Sequence, residues 1–340
     1  MSSAPANLFE QQAANRRRSA WLVAGFVLFF AWVGFGGDFV FWLNTDHRYD
    51  FPFLGIITTL IALGMTSFSL RHGAKQVLWA TQAWEVVEPA DEKQQRLVNV
   101  VEEMAIAAGV PKPTVWIVPD RDPNAFAAGS GPRDAHIAVT EGLLDVLSRD
   151  ELQGVVAHEM AHIRNLDVLL MTRLAAMVGA LALVSDGLTR MVRGGFLPRG
   201  GGRKAGGKGS GLGNLAIVLL VVWVISLLLA PLLSRLLAMM VSRNREYLAD
   251  ATGAQLTRNP LALASALEKL EGAAQPTRSI TRGAAHMCIV DPLGRRISAV
   301  EGLAGDVFAS HPPARLRIAR LKGMAYQAAK HDGVASVPAT

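Results

Sequence analysis

Apolar and polar positions alternate on two length scales along the chain. On the long scale, two uncharged apolar runs stand near the N-terminus, at 19–37 and 51–70. A bilayer core takes about 20 apolar helical residues, so both runs qualify as membrane helices. A third apolar stretch, 174–185, has only 12 residues between Arg173 and Asp186. That is short for a full crossing. A fourth, 215–234, is long and uncharged. Between the last two lies a glycine-rich, basic linker, 190–213, that reads as flexible and solvated.

On the short scale, the region from about Trp84 to Leu166 reads as soluble. Between Asp91 and Ala108, Leu97, Val100, Val101, Met104 and Ala105 recur at helical spacing, and Gly109 and Pro111 stop the helix. Thr114–Val118 is β-branched and aromatic, hence a strand. Asn124–Ala128 and Ala135–Thr140 are further short strands, with Gly-Ser-Gly-Pro at 129–132 as the turn between them. Ser148 and Glu151 form a capping box, which predicts a helix from about Arg149 past His162.

Charge then orients the membrane pair. Arg16, Arg17 and Arg18 precede the first run, and Arg71 and Lys75 follow the second. Positive flanks stay in the cytoplasm, so both ends of this hairpin are expected inside. Net charge is +6 in 340 residues, and charged residues make up 18%, below the roughly 25% of soluble domains. Lys and Arg cluster beside apolar runs and are not interleaved with aromatics, so no nucleic-acid partner is expected. The single cysteine, Cys288, excludes an internal disulfide framework and suits a reducing compartment.

The candidate chemistry lies in the predicted helix at 149–162. Residues 158–162 read His-Glu-Met-Ala-His. A spacing of four puts His158 and His162 on one helical face, where two imidazoles can bind one zinc ion. Glu159 can then face the open metal position and take a proton from the attacking water. With eight histidines, the pattern arises by chance in roughly one such chain in a hundred, so its context carries weight. Small and apolar neighbours, Gly154 to Ala157 and Ile163, argue against an exposed helix.

A catalytic zinc needs a third protein ligand. The downstream candidate is Glu246, with Asp250 one turn later as acceptor for a ligating histidine. Read by itself, Glu246 also suits a surface salt bridge with Arg243 or Arg245. Since His158 and Glu246 must meet at one metal, both ends of the intervening insert are expected on one side of the membrane. Either both of its apolar stretches cross, or neither does fully.

Five segments, in order, resemble the HtpX-type membrane zinc metallopeptidases, gluzincins related to the type I CAAX prenyl proteases. They are Asn-Ala-Phe-Ala at 124–127, His-Glu-Met-Ala-His at 158–162, Asn-Leu-Asp at 165–167, Arg-Glu-Tyr-Leu-Ala-Asp at 245–250, and His-Pro-Pro…Arg-Ile at 311–318. The resemblance implies a mainly α membrane protein with an α+β zincin-type catalytic domain, a small β-sheet edge beside the HExxH helix and about four hydrophobic membrane segments. It implies one Zn2+ per chain held by His158, His162 and Glu246, with Glu159 as general base and Asp250 behind the ligands. Asn124, Ala125, Phe126 and Ala127 match the family's edge strand, to which an extended substrate adds through its main chain. His311 and Arg317 match its C-terminal motif, either as oxyanion donors or as a brace for the metal site.

The expected organisation is a cytoplasmic segment at 1–18, a transmembrane hairpin at 19–70, and a first catalytic part at 71–167. A second hydrophobic hairpin at 168–240, a second catalytic part at 241–330 and a tail at 331–340 complete it. The expected activity is endopeptidase cleavage of polypeptides at a bilayer, in quality control of misfolded membrane proteins under stress. The expected location is the inner cell membrane, multi-pass, with the catalytic domain facing the cytoplasm. A narrow-specificity processing protease and a catalytically silent membrane scaffold are the alternatives.

Overall fold

A computed structural model describes residues 8–44, 51–177, 243–273, 279–280, 287–290 and 312–331. The expected second hydrophobic hairpin (168–240) beyond residue 177, with its linker 190–213, and His311 lie outside these residues. The chain divides into two compact units.

One unit holds Ala20–Arg71 of the described N-terminal half, together with Met177. It contains most of helices α1 (Leu8–Asn44) and α2 (Phe53–Ala80), which include both apolar runs. Both helices are long and apolar enough to cross a bilayer, and their apolar windows are mostly exposed. Trp21, Leu28, Leu60 and Ile61 stand outward. In water such exposure is unfavourable at about 25 cal/mol per Å2 of apolar surface, whereas lipid removes that penalty. The hairpin closes through Gly34 and Gly55: a side chain at Gly34 would meet Thr58 and the Leu54 carbonyl, both nearer than van der Waals contact allows. Asp38 completes the turn by accepting hydrogen bonds from the amides of Leu54 (3.0 Å) and Gly55 (2.6 Å). A carboxylate there satisfies orphan donors at the start of α2 and opposes the helix dipole.

The other unit includes the first turns of α1, through Ser19, and the region from His72 to Ala176. Its sheet has the order β1-β2-β4-β3, with β1 (Trp84–Glu85), β2 (Thr114–Val118), β3 (Ala125–Gly131) and β4 (Asp134–Thr140). β2 and β4 are parallel; β1–β2 and β3–β4 are antiparallel. Helix α3 (Glu92–Ala108) lies where the periodicity predicts it, with Asp91 capping its start and Gly109 in the left-handed conformation at its end. Its Leu97, Val100, Val101 and Met104 are buried in the main core, together with Ile137, Leu152, Val155 and Leu263. Full burial of each large side chain contributes about 1.5–3 kcal/mol.

One expectation shifts. The β3–β4 turn falls after residue 131, not across 129–132, because β3 continues through both glycines. Gly129 has φ +154°, and a Cβ there would sit 2.1 Å from the Asp134 carbonyl oxygen. Glycine therefore lets the strand run on rather than ending it.

After the short helix α4 (Glu141–Val146), helix α5 (Arg149–Arg164) begins with the capping box formed in full. Helices α6 (Arg243–Thr257), α7 (Pro260–Gly272) and α8 (Ala314–His331) complete the described part of this unit. Glycines set how closely α5 is approached. A Cβ on Gly154 of α5 would lie 2.9 Å from the Leu263 amide of α7, and one on Gly253 of α6 would lie 3.1 Å from the His158 amide. Gly253 stands two turns after Glu246, so this close crossing places Glu246 over the histidine face of α5.

Candidate metal centre

His158 and Glu159 project from the C-terminal half of α5, His162 from its last turn, and Glu246 from the first turn of α6. All four are at most 4% exposed. The ligand atoms of His158, His162 and Glu246 lie within 4.8 Å of one another. The two imidazoles meet edge to face, with their Nε2 atoms 3.2 Å apart. Glu246 Oε2 is 3.7 Å from His158 Nε2, and Oε1 is 3.6 Å from His162 Nε2.

The far side of each ring explains why these atoms converge. His158 Nδ1 lies 2.9 Å from Asp250, and His162 Nδ1 lies 3.1 Å from Asp167. A carboxylate only accepts, so each Nδ1 carries a hydrogen, and in its neutral form each ring turns a lone pair inward at Nε2. Two lone pairs and a carboxylate facing one point repel unless a proton or a metal cation lies between them. Two nitrogens held at about 2.0–2.1 Å from a tetrahedral zinc are separated by about 3.3 Å, close to the spacing seen. The donor set therefore fits a tetrahedral divalent metal.

Asp250 is itself held by Arg317, whose Nε and Nη2 donate to its two oxygens at 2.8 and 2.7 Å. Arg317 Nη1 donates to the Ile289 carbonyl at 2.7 Å, and the side chain is 1% exposed. Its Nη2 also lies 3.4–3.5 Å from the His158 ring nitrogens. Burial opposes both charges of the Arg317–Asp250 pair, but their attraction prevails. Asp250 is held down at about 2, and Arg317 is raised above its ordinary value.

The other groups of the metal-free centre diverge. Burial lowers His158 to about 4, with the positive charges of Arg317 and His162 acting in the same direction. Burial would also lower His162, but the Asp167 hydrogen bond and the surrounding carboxylates outweigh it and raise the ring to about 9. Glu159 is pushed up to about 7 by burial, with Glu246 adding to the rise. Among the described residues neither Glu159 oxygen makes a hydrogen bond of ordinary geometry, although the Ala127 amide approaches the carboxylate. A buried carboxylate near neutrality and without a firm partner is well placed to exchange a proton.

The structure thus brings together His158, Glu159, His162, Glu246, Asp250, Arg317 and Ala127. Ala125 and Phe126 begin the outer strand of the sheet, with Asn124 just before it, but three residues of the same chain cover them. Phe126 pairs with Cys288 in an antiparallel bridge, and the Ile289 amide donates to the Ala125 carbonyl at 2.9 Å. Asn124 Nδ2 donates to the Val290 carbonyl at 2.8 Å. Spacing alone did not reveal the role of Asp167. It follows the end of α5, and Leu166, in the left-handed conformation at φ 60°, turns the chain so that Asp167 returns to His162. The usable signal was a carboxylate just past a ligand-bearing helix.

With this geometry in place, comparison with known proteins decides the family. The profile of peptidase family M48 matches residues 91–325, well over half of the chain. The chain belongs to peptidase family M48. A protease HtpX homolog of Caldanaerobacter subterraneus subsp. tengcongensis is 40% identical over 318 residues, covering 93% of this chain and 98% of that relative. Homologs from Thermoanaerobacter pseudethanolicus and Listeria monocytogenes serotype 4a are 38% and 37% identical over 93% of the chain. This M48 member is therefore a metallopeptidase of the HtpX type. The crystal structure of S. mikatae Ste24p aligns with a TM-score of 0.44 and 18% identity, over 92% of this chain and 66% of that one.

Proposed function

We propose that the chain is a membrane-bound, zinc-dependent endopeptidase in which His158, His162 and Glu246 hold one zinc and Glu159 moves the protons. The observation that carries this reading is the convergence of both Nε2 atoms and the Glu246 carboxylate beside a buried Glu159 of raised pKa. Zinc, when bound, supplies the Lewis acid that polarises the scissile carbonyl and acidifies water. Glu159 accepts the proton of the attacking water and delivers it to the leaving amine. Asp250 and Asp167 keep the two rings in the ligating tautomer. Arg317 serves as the brace rather than the oxyanion donor, because three of its N–H groups are committed to Asp250 and Ile289.

Substrate main chain adds along the β3 edge at 124–127. In the described conformation, addition at Asn124–Phe126 means exchanging their contacts with Cys288, Ile289 and Val290 for contacts with the peptide. That mode reads backbone and tolerates varied side chains. It suits unfolded segments of membrane proteins, and hence quality control. The basic flanks Arg16–Arg18 and Arg71–Lys75 support a centre on the cytoplasmic face of the inner membrane, in a multi-pass chain.

The test is cleavage of an unfolded reporter by detergent-purified, zinc-loaded enzyme beside its Glu159→Gln variant. The variant is expected to bind zinc as the parent does and to lose activity by roughly 100-fold or more. If neither protein cuts although both are folded and carry zinc, the general endopeptidase reading fails. Equal cutting by both would remove Glu159 from the chemistry.

A further inference from the structure

The metal centre's outermost hydrogen bonds do not end within the HExxH and Glu246 helices. They reach the first helix of the chain. Gln12, Asn15 and Ser19 lie three and four residues apart, on one face of α1. All three meet the end of α5 or the helical residues that follow it. Gln12 Nε2 donates to the Arg164 carbonyl at 2.8 Å, and Ser19 Oγ accepts from Arg173 Nη1 at 2.7 Å. Asn15 Nδ2 donates to the Asn165 carbonyl at 3.1 Å and to Asp167 Oδ1 at 2.8 Å. Gln12 and Asn15 thereby satisfy carbonyls that the end of α5 leaves without helical partners.

Asn15 differs from its neighbours in what it touches. It is 3% exposed, and both partners of its Nδ2 can only accept, which settles the orientation of the amide. The Asp167 oxygen it does not hold, Oδ2, faces His162 Nδ1. Arg245 lies 3.5 Å from the oxygen it does hold, too long to fix the carboxylate's rotation by itself. Gln12 and the Arg173–Ser19 contact already fasten the helix, so Asn15 is not needed merely to seat α1.

We propose that Asn15 is a positioning residue for the metal centre. It holds Asp167 in the rotamer that fixes the tautomer and angle of His162, so the seating of the first helix sets how firmly the metal is held. This rests on His162 being a metal ligand. The class of ligand concerned is a divalent cation, and the effect is carried by hydrogen bonds through Asp167.

The test measures zinc release to a chromogenic chelator, and the melting of the metal-free protein, for the full chain in detergent. The variants are Gln12→Ala, Asn15→Ala, Asp167→Asn, the Asn15→Ala/Asp167→Asn double and His162→Ala. Asp167→Asn is expected to speed release roughly 10- to 100-fold, as loss of an outer partner does, and Asn15→Ala roughly three- to tenfold. The double variant is expected to release zinc no faster than Asp167→Asn alone. Gln12→Ala, which also loosens α1, is expected to melt earlier but release zinc within about twofold of the parent.

Parental release from Asn15→Ala, with the metal lost from His162→Ala, would overturn the proposal. So would equal acceleration by Gln12→Ala, or an Asn15→Ala effect that persists in full on top of Asp167→Asn. Retention of zinc by His162→Ala would instead sink the ligand assignment. If Asn15→Ala does not fold, Asn15→Ser is measured in its place, and its release is expected to fall between those of Gln12→Ala and Asp167→Asn.

Discussion

Replacing Arg317 by methionine separates bracing from catalysis. The guanidinium makes two hydrogen bonds to Asp250 and one to the Ile289 carbonyl, and none of these groups is exposed by more than 3%. Methionine fills most of the volume but leaves Asp250 as a buried anion with His158 as its remaining hydrogen-bond partner among the described residues. Breaking a buried ion pair from one side costs about 3–5 kcal/mol. The orphaned Ile289 carbonyl adds about 1–3 kcal/mol. For a domain of this size class each kcal/mol lowers Tm by about 2–4 °C, so the ion-pair loss alone predicts a fall of roughly 6–20 °C. Thermal melting of the metal-free protein in detergent reads this directly.

Removing both charges, in Arg317→Met/Asp250→Leu, is expected to regain most of the lost stability, because no buried charge is then left alone. Metal retention should stay poor in the double variant, since His158 has lost its Nδ1 acceptor. The reasoning is refuted if Arg317→Met melts within about 1 °C of the parent yet loses turnover. That result would make Arg317 an oxyanion donor. A double variant less stable than the single would refute the buried-charge argument specifically.

Gly253→Ala puts a methyl 3.1–3.3 Å from backbone atoms of Ala157 and His158, which cannot rotate aside. An overpacking cost of about 1–3 kcal/mol is expected, with faster zinc release as α6 carries Glu246 off the histidines, and parental release would show that the crossing has slack. Glu151, opposed by burial but held by Lys269, Ser265 and Ser148, is lowered to about 2. Its folded pKa lies below the unfolded one, so its contribution is complete above about pH 4.5 and is lost as pH falls towards 2. Urea unfolding should show the parent's advantage over Glu151→Gln shrinking across that window, and a constant advantage would contradict the shift. Chelation should abolish cleavage and added zinc restore it; activity that survives complete metal removal would exclude metal-dependent hydrolysis.

The local sequence determined much of this protein. Apolar runs too long for a small core defined α1 and α2, because only lipid or a large interior accommodates them. Helical periodicity and a capping box placed α3 and α5 close to their observed ends. The spacing of four in His158 and His162 put both rings on one face wherever α5 might pack. These features rest on interactions within a few residues, so the order of residues suffices to read them. Glu246 was legible as a carboxylate one turn from another, but the spacing equally allowed a surface ion pair. The crossing at Gly253 decided between them by burying it against α5.

Tertiary structure alone decided the rest. The path of β3 through Gly129 depended on how closely Asp134 approaches, which no short-range pattern encodes. Pairing of Ala125 and Phe126 with Cys288 and Ile289 joins residues more than 160 positions apart. In the sequence Asn15 is one polar residue before an apolar run, and Asp167 one acid beyond the predicted helix. Their joint contact with His162 exists because α1 packs at the end of α5. Hydrogen bonds act over about 3 Å of space whatever the separation in sequence, so the outer partners of the metal centre become visible when the helices are packed.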